Sequence, residues 1–264
     1  MLLNDFNAVE HKDRIVQWIR DWFEENGKDC KAVIGISGGK DSSVAAALCV
    51  EALGRERVFG VMMPNGIQSD IVDSYKVVAH LGIKFIVQNI HSIYEGFLQN
   101  FDNENPFGIK SPGVKIEPSE QTKINLPPRI RMTTLYAISQ SIGGRVVCTD
   151  NLSELYIGYS TRWGDNIGDF APLANYTASE VVAIGDAIGL PHDLTHKTPS
   201  DGLCGQTDED RFGFTYEQLD TYIRTGECDS EEVTELIKAK HKANRFKQIT
   251  LPQPYSFQRV YGWE

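Results

Sequence analysis

The sequence predicts an α/β protein: a doubly wound, mostly parallel sheet with helices on both faces. Three observations carry this. Short apolar runs rich in β-branched residues alternate with helix-length segments three times between residues 31 and 101. That is the pattern of right-handed strand–helix–strand units. The first run breaks at a glycine pair that opens a helix. A chain of 264 residues with 41% apolar content can also bury a large core without disulfides.

The elements follow in order. Residues 4–26 read as an amphipathic helix, because Ile15, Val16, Trp18, Ile19, Trp22 and Phe23 recur at helical spacing among charges. Gly27 ends it. Residues 31–37 form a buried strand, and Asp41-Ser42-Ser43 begin an Ala-rich helix that Gly54 stops. Strands are expected over 58–63 and 84–90, with helices over 68–81 and 91–101. Residues 102–128 carry no apolar period and read as a lid, a binding loop or a disordered stretch; 198–213, rich in Gly, Asp and Thr, is a second candidate lid. A helix over 129–142 leads to a fourth strand, 145–149, and helices over 177–188, 214–225 and 230–244 complete the pattern. No linker divides the chain, so residues 1–264 read as one domain: an N-terminal helix 4–26, an α/β core 31–190, and C-terminal helices with a tail 191–264.

The formal charge of −10 argues against a nucleic-acid partner, which needs a basic face, but not against a nucleotide. Cys30, Cys49, Cys148, Cys204 and Cys228 are odd in number and show no Cys-x-x-Cys spacing. They read as scattered cytoplasmic thiols. The N-terminus meets acid at Asp5, too early for a secretion signal. The most apolar stretch, 44–53, contains Glu51 and is too short to span a bilayer. A cytoplasmic protein without membrane contact is expected.

The chemistry concentrates in Gly35-Ile36-Ser37-Gly38-Gly39-Lys40-Asp41-Ser42-Ser43, between a strand and a helix N-terminus. That position offers free backbone N–H groups and the positive end of a helix dipole. Two glycines let an anion approach the backbone, and three serines add hydroxyl donors. Asp41 is a hard oxygen ligand suited to Mg²⁺ beside a polyanion. A plain Gly-Ser turn capping a helix is the bland alternative. The loop is neither a Walker A loop nor a dinucleotide fingerprint. It resembles the PP-loop of the ATP pyrophosphatases, Ser-Gly-Gly-x-Asp-Ser. That superfamily splits ATP between its α and β phosphates and includes NAD, GMP and asparagine synthetases and tRNA sulfur-insertion enzymes. The loop alone does not choose among them.

Further motifs narrow the resemblance. Asn125, Arg129-Ile130-Arg131-Met132, Thr149-Asp150-Asn151-Leu152-Ser153-Glu154, Gly158-Tyr159-Ser160-Thr161-Arg162-Trp163-Gly164-Asp165 and Asp169 are similar, in order and spacing, to ammonia-dependent NAD synthetases. The resemblance covers residues 31–251. It implies an adenine nucleotide alpha hydrolase-like sheet, and amidation of deamido-NAD (nicotinic acid adenine dinucleotide) by ammonia. ATP and Mg²⁺ are implied as co-substrate and cofactor. An acyl-adenylate would form, AMP and pyrophosphate would leave, and no covalent nucleophile would be needed. A homodimer is implied as well. The length leaves no room for a glutaminase domain, so free ammonia is the expected nitrogen donor.

Residue by residue, the resemblance places ATP on the loop with Gln68, Thr149 and Ser200. It places deamido-NAD on Arg129, Arg162, Asp169 and Lys247, and Mg²⁺ on Asp41 and Glu154. The chain also departs from the pattern. Arg162 stands where lysine is common, Ala178 where many relatives carry a lysine on the ATP phosphates, and Met62 where some carry an arginine. Phe246 replaces a histidine. Rival readings are a PP-loop enzyme acting on XMP or a tRNA base, and a non-catalytic nucleotide sensor. His192 and His196 stand four apart, but no accompanying motif makes them a ligand pair.

Overall fold

The computed structural model describes residues 6–68, 70–101, 117–197 and 207–248. Four parallel strands, β1 (Lys31–Gly35), β2 (Val58–Met62), β3 (Lys84–Val87) and β4 (Gly144–Val146), lie in the order β3-β2-β1-β4. The chain moves outward from β1 to β3, then returns to set β4 on the other side of β1. The strand order therefore reverses between β1 and β4, where open α/β sheets bind ligands. One face carries α1 (Ala8–Asn26), α2 (Lys40–Leu53), α3 (Ile71–Leu81) and α7 (Ala178–Ala187). The other carries α4 (His91–Gln99) and α5 (Glu120–Ile142).

Strand β1 shows why its sequence is apolar throughout. Ala32 and Ile34 join the cluster of Ile19, Val44, Leu48 and Ile184 on the α1–α2–α7 face. Gly35 points to the other face, where an added Cβ would lie 3.5 Å from Leu135 Cδ1 of α5. A strand covered on both faces has no polar side to alternate.

Several boundaries differ from expectation. Helix α1 starts at Ala8, where Asn7 caps it by accepting from the Glu10 amide at 3.2 Å. Helix α5 starts at Glu120, so the expected loop over 102–128 ends before it; residues 102–116 lie outside the described residues. Ser119 caps α5 by accepting from the Thr122 amide at 3.1 Å. Pro127 and Pro128 read as breakers yet sit inside the helix. Leu126 and Ile130 pack there with Ile90 and Leu98, and this burial offsets the missing proline N–H groups.

Strand β3 ends at Val87 and is a fully exposed edge, and β4 ends at Val146, short of the expected 149. Beyond it Val147 makes a single bridge to Phe170. A helix not foreseen, α6 (Leu152–Ile157), follows, with Asn151 and Glu154 forming a capping box.

The rest is helical: α8 (His192–Thr195), α9 (Asp208–Phe212), α10 (Tyr216–Thr225) and α11 (Glu231–Gln248). Helix α11 runs past 244 and so carries Lys247 on its last turn. A second apolar cluster, including Ile157, Phe212, Leu219 and Ile237, joins these helices to α6. Arg224 ties this lobe to the start of α7, pairing with buried Glu180 and donating to the Asn175 carbonyl at 2.7 Å. The His192 and His196 rings stack at 3.9 Å, and His196 meets Asp186 at 2.9 Å. Among the described residues no helix is long and apolar enough to cross a membrane.

Candidate active site

A cavity of about 710 Å³ opens at the C-terminal ends of the strands, beside the β1/β4 reversal. Its walls come from the loop after β1, the segment after β2, α5, and the segments after β4.

The loop's shape follows from its own residues. Gly38 has φ +79, and an added Cβ would strike the Ser74 amide nitrogen at 2.7 Å, so only glycine fits. The Gly39 amide donates to Ser37 Oγ at 3.2 Å, and the Ser37 and Ser42 hydroxyls meet at 3.0 Å. Ser42 and Ser43 donate to the Gly39 carbonyl at 3.1 and 2.7 Å. These two serines are buried and stiffen the loop from within, whereas Gly35, Ile36, Ser37, Gly39, Lys40 and Asp41 line the cavity. Helix α2 has no side-chain cap. Its first-turn N–H groups and dipole are thus directed at whatever anion enters.

Two carboxylates sit behind the loop. Asp41 accepts from Lys40 Nζ at 2.9 Å through Oδ2 and from Asn151 Nδ2 at 3.0 Å through Oδ1. The Asn151 amide donates to Glu154 Oε2 at 3.3 Å, so one residue links both acids. Burial, and then repulsion from Asp41, pushes the Glu154 carboxyl well above its usual range, while Lys40 opposes the rise. Burial, Asp165 and Asp41 do the same to Asp150, whose Oδ2 is buried without a hydrogen-bond partner. Crowded hard oxygens with an orphaned carboxylate oxygen nearby fit a divalent cation. No group of three or more His, Cys, Asp or Glu ligands is assembled among the described residues. A Mg²⁺ ion on Asp41 and Glu154 would therefore draw further oxygens from a bound phosphate and water, its ordinary habit.

Gln68 and Thr149 also line the cavity; Ser200 lies outside the described residues. The residues assigned to the second substrate do not line it. Three of them gather around the turn at 158–163. Arg129 donates through Nε to the Arg162 carbonyl at 3.4 Å, and Lys247 donates to the Gly158 and Ser160 carbonyls at 2.7 and 2.9 Å. The Arg162 guanidinium lies over the Trp163 ring at 4.9 Å and the Phe246 ring at 5.7 Å. Asp169 stands apart. It accepts from the Val146 amide at 2.7 Å and from the Tyr136 hydroxyl at 3.4 Å, pinning the end of β4.

Sequence reasoning missed several cavity residues. Arg131 lines the cavity rather than Arg129, with Nε on the Met63 carbonyl at 3.0 Å. Helical phase would have found it, since Arg131 and Leu135 are one turn apart on the sheet-facing side of α5. Asn151, which links the two acids without lining the cavity, carried a readable signal too: Asn followed three residues later by Glu is a capping-box signature. Asp165 and Lys197 also line the walls; Asp165 is raised above its usual range by burial, and Lys197 bonds to Asp73 at 2.7 Å.

The NAD synthase family profile matches residues 11–256. The chain is 36% identical over 245 residues to the NH(3)-dependent NAD(+) synthetase of Carboxydothermus hydrogenoformans, covering 92% of this chain and 96% of that protein. Among solved structures it is similar to the NMN synthetase from Francisella tularensis, with TM-score 0.82, 32% identity, and coverage of 95% of this chain and 99% of that one. It is also similar to the NH3-dependent NAD synthetase from Campylobacter jejuni, with TM-score 0.74, 25% identity, and coverage of 95% and 100%.

Proposed function

The chain belongs to the NAD synthase family, and from that premise we propose that it is an ammonia-dependent ligase that converts the nicotinate carboxylate of deamido-NAD into the amide. One observation carries the reading: an uncapped helix start faces a cavity whose wall holds a linked carboxylate pair, Asp41 and Glu154. That arrangement suits a nucleoside triphosphate with its divalent ion.

ATP would lie with its β and γ phosphates on the first turn of α2, and Gln68 and Thr149 would contact the nucleoside side. Mg²⁺ held by Asp41 and Glu154 would neutralise charge on the departing pyrophosphate. The first-turn amides of α2 would do the same, at no reorganisation cost. Arg129, Arg162 and Lys247, gathered on one turn, would hold the acceptor's anionic groups. The carboxylate attacks the α-phosphorus, pyrophosphate leaves, and ammonia displaces AMP. No side chain forms a covalent intermediate, so positioning supplies much of the rate.

A second reading concerns the acceptor alone. The likeness to an NMN synthetase over nearly its whole length favours nicotinate mononucleotide as a rival acid. The deciding experiment offers purified protein ATP, Mg²⁺ and ammonium with either acid and follows AMP and amide product. NAD formed with matching AMP supports the first reading. Amide from the mononucleotide alone replaces it with the second. AMP with neither amide overturns both.

We extend the proposal to a homodimer in the cytoplasm. Exposed Phe85, Ile86 and Val87 on the β3 edge, with Tyr75 packed against Phe85, offer an apolar surface that a second copy would cover. Cys30, Cys49, Cys148 and Cys228 are free thiols, in keeping with a reducing compartment. Contacts of α7 with both α2 and α10 support reading 1–264 as one domain.

A further inference from the structure

The variable position of the loop motif holds a lysine, and its placement is unusual. Lys40 is the first residue of α2, yet only 7% of it is exposed. An ammonium is buried at this depth only when paired. Its Nζ lies 2.9 Å from Asp41 Oδ2 and 5.2 Å from the centre of the Tyr216 ring. The negative charges of Glu154 and Asp208 add attraction. The Tyr216 hydroxyl in turn donates to Asp208 at 3.3 Å, so Lys40 reaches from the nucleotide loop to the C-terminal lobe.

Three cations line the cavity among the described residues: Lys40, Arg131 and Lys197. Arg131 bonds to the Met63 carbonyl and Lys197 to Asp73. Lys40 alone of the three bonds to an acid of the proposed metal pair. No cation approaches from position 178, where Ala178 is buried in the apolar cluster of the C-terminal lobe.

We propose that Lys40 is a tethered counter-ion of the metal site, occupying the Asp41 carboxylate beside Glu154 in the nucleotide-free protein so that a divalent cation must compete with it. This inference rests on the metal assignment above. The ammonium and a divalent ion would draw on the same Asp41 oxygen, and like charges at such range in a poorly hydrated site repel strongly. The resting protein then binds metal weakly by itself. Nucleotide phosphates add the negative charge that lets both cations remain, so metal and nucleotide enter together. The lysine keeps the buried acids compensated until they do.

The test measures Mn²⁺ binding to the full chain without nucleotide, by electron paramagnetic resonance, for the unaltered protein, Lys40→Met, Lys40→Arg and Glu154→Gln. Circular dichroism checks each fold. Lys40→Met is expected to bind Mn²⁺ about tenfold tighter or better, and Lys40→Arg to stay near the unaltered value. Lys40→Met affinity equal to or weaker than the unaltered protein's, or no binding by either, overturns the proposal. The Glu154→Gln arm separates the two claims. If it binds as the unaltered protein does, the metal assignment itself fails. If it loses Mn²⁺ while Lys40→Met is unchanged, only the role of Lys40 fails. Should Lys40→Met not fold, ammonium NMR on ¹⁵N-lysine-labelled unaltered protein answers the same question. A protected Lys40 signal that titrates away as Mg²⁺ is added supports the proposal, and a signal indifferent to Mg²⁺ overturns it.

Discussion

Residues 35–43 take their backbone shape mainly from hydroxyls and amides of the loop itself, with Asn151 reaching Asp41 from outside, whereas the turn at 158–163 is held by Arg129 from α5 and Lys247 from α11. The first is a local device whose shape follows from two glycines and three serines. The second is assembled from segments far apart in sequence, and its integrity depends on how the C-terminal lobe docks. The loop should therefore tolerate distant changes that disable the turn.

The largest expected effect lies on the loop side. Asp41→Asn or Glu154→Gln should lower turnover by about a hundredfold or more while the protein stays folded; steady-state assays with melting curves check this. Normal turnover would take the carboxylate pair out of the chemistry. A clean contrast comes from Arg162→Ala. Loss of one charged contact, about 1.5 kcal/mol, should raise KM for the acceptor about tenfold and leave KM for ATP unchanged. Equal changes in both constants would show that loop and turn are not separate.

How the two regions could be read from sequence follows the same division. The loop was legible because strand, glycine pair and Ala-rich helix are consecutive, although Gly39 rather than a side chain starts that helix. The sheet was legible because its apolar runs alternate with helices. The start of α5 was not, because Pro127 and Pro128 look like breakers until Leu126 and Ile130 are seen buried against α4. Arg131 shows the same contrast: the resemblance points to Arg129, whereas the phase it shares with Leu135 sets Arg131 on the cavity. The hydroxyls of Ser42 and Ser43, which the sequence offers as ligand donors, rest on the Gly39 carbonyl. No local rule places Lys247 beside Gly158, 89 residues away; the resemblance to a family names Lys247 only as a contact of the second substrate.

A stability experiment sharpens the comparison further. Arg224→Ala leaves Glu180 buried and unpaired, and should cost about 3 kcal/mol in urea unfolding. Hydrogen exchange should quicken in α10 and α11 before α2. Uniform quickening would mean that the lobe and the core open as one.

The smallest effect is at Asp73, just behind the cavity wall where it holds Lys197. Hydrogen bonds from Lys197 and Lys76 hold the Asp73 carboxyl below its ordinary value of 3.8. A lowered folded-state value means that this contribution is present above about pH 3.8 and is lost as pH falls through the folded-state value. Asp73→Asn should cost under about 1 kcal/mol at neutral pH, and the difference should close in acid. A difference that persists there would assign Asp73 a role beyond its charge.

The proposed splitting of ATP by the acceptor's own carboxylate is the step on which the reaction turns. It is tested most directly with deamido-NAD carrying heavy oxygen in that carboxylate, followed by mass spectrometry of AMP and pyrophosphate after one round of amidation. Heavy oxygen in AMP, with NAD formed alongside, is the predicted result. Heavy oxygen absent from AMP, or found in pyrophosphate, would contradict it.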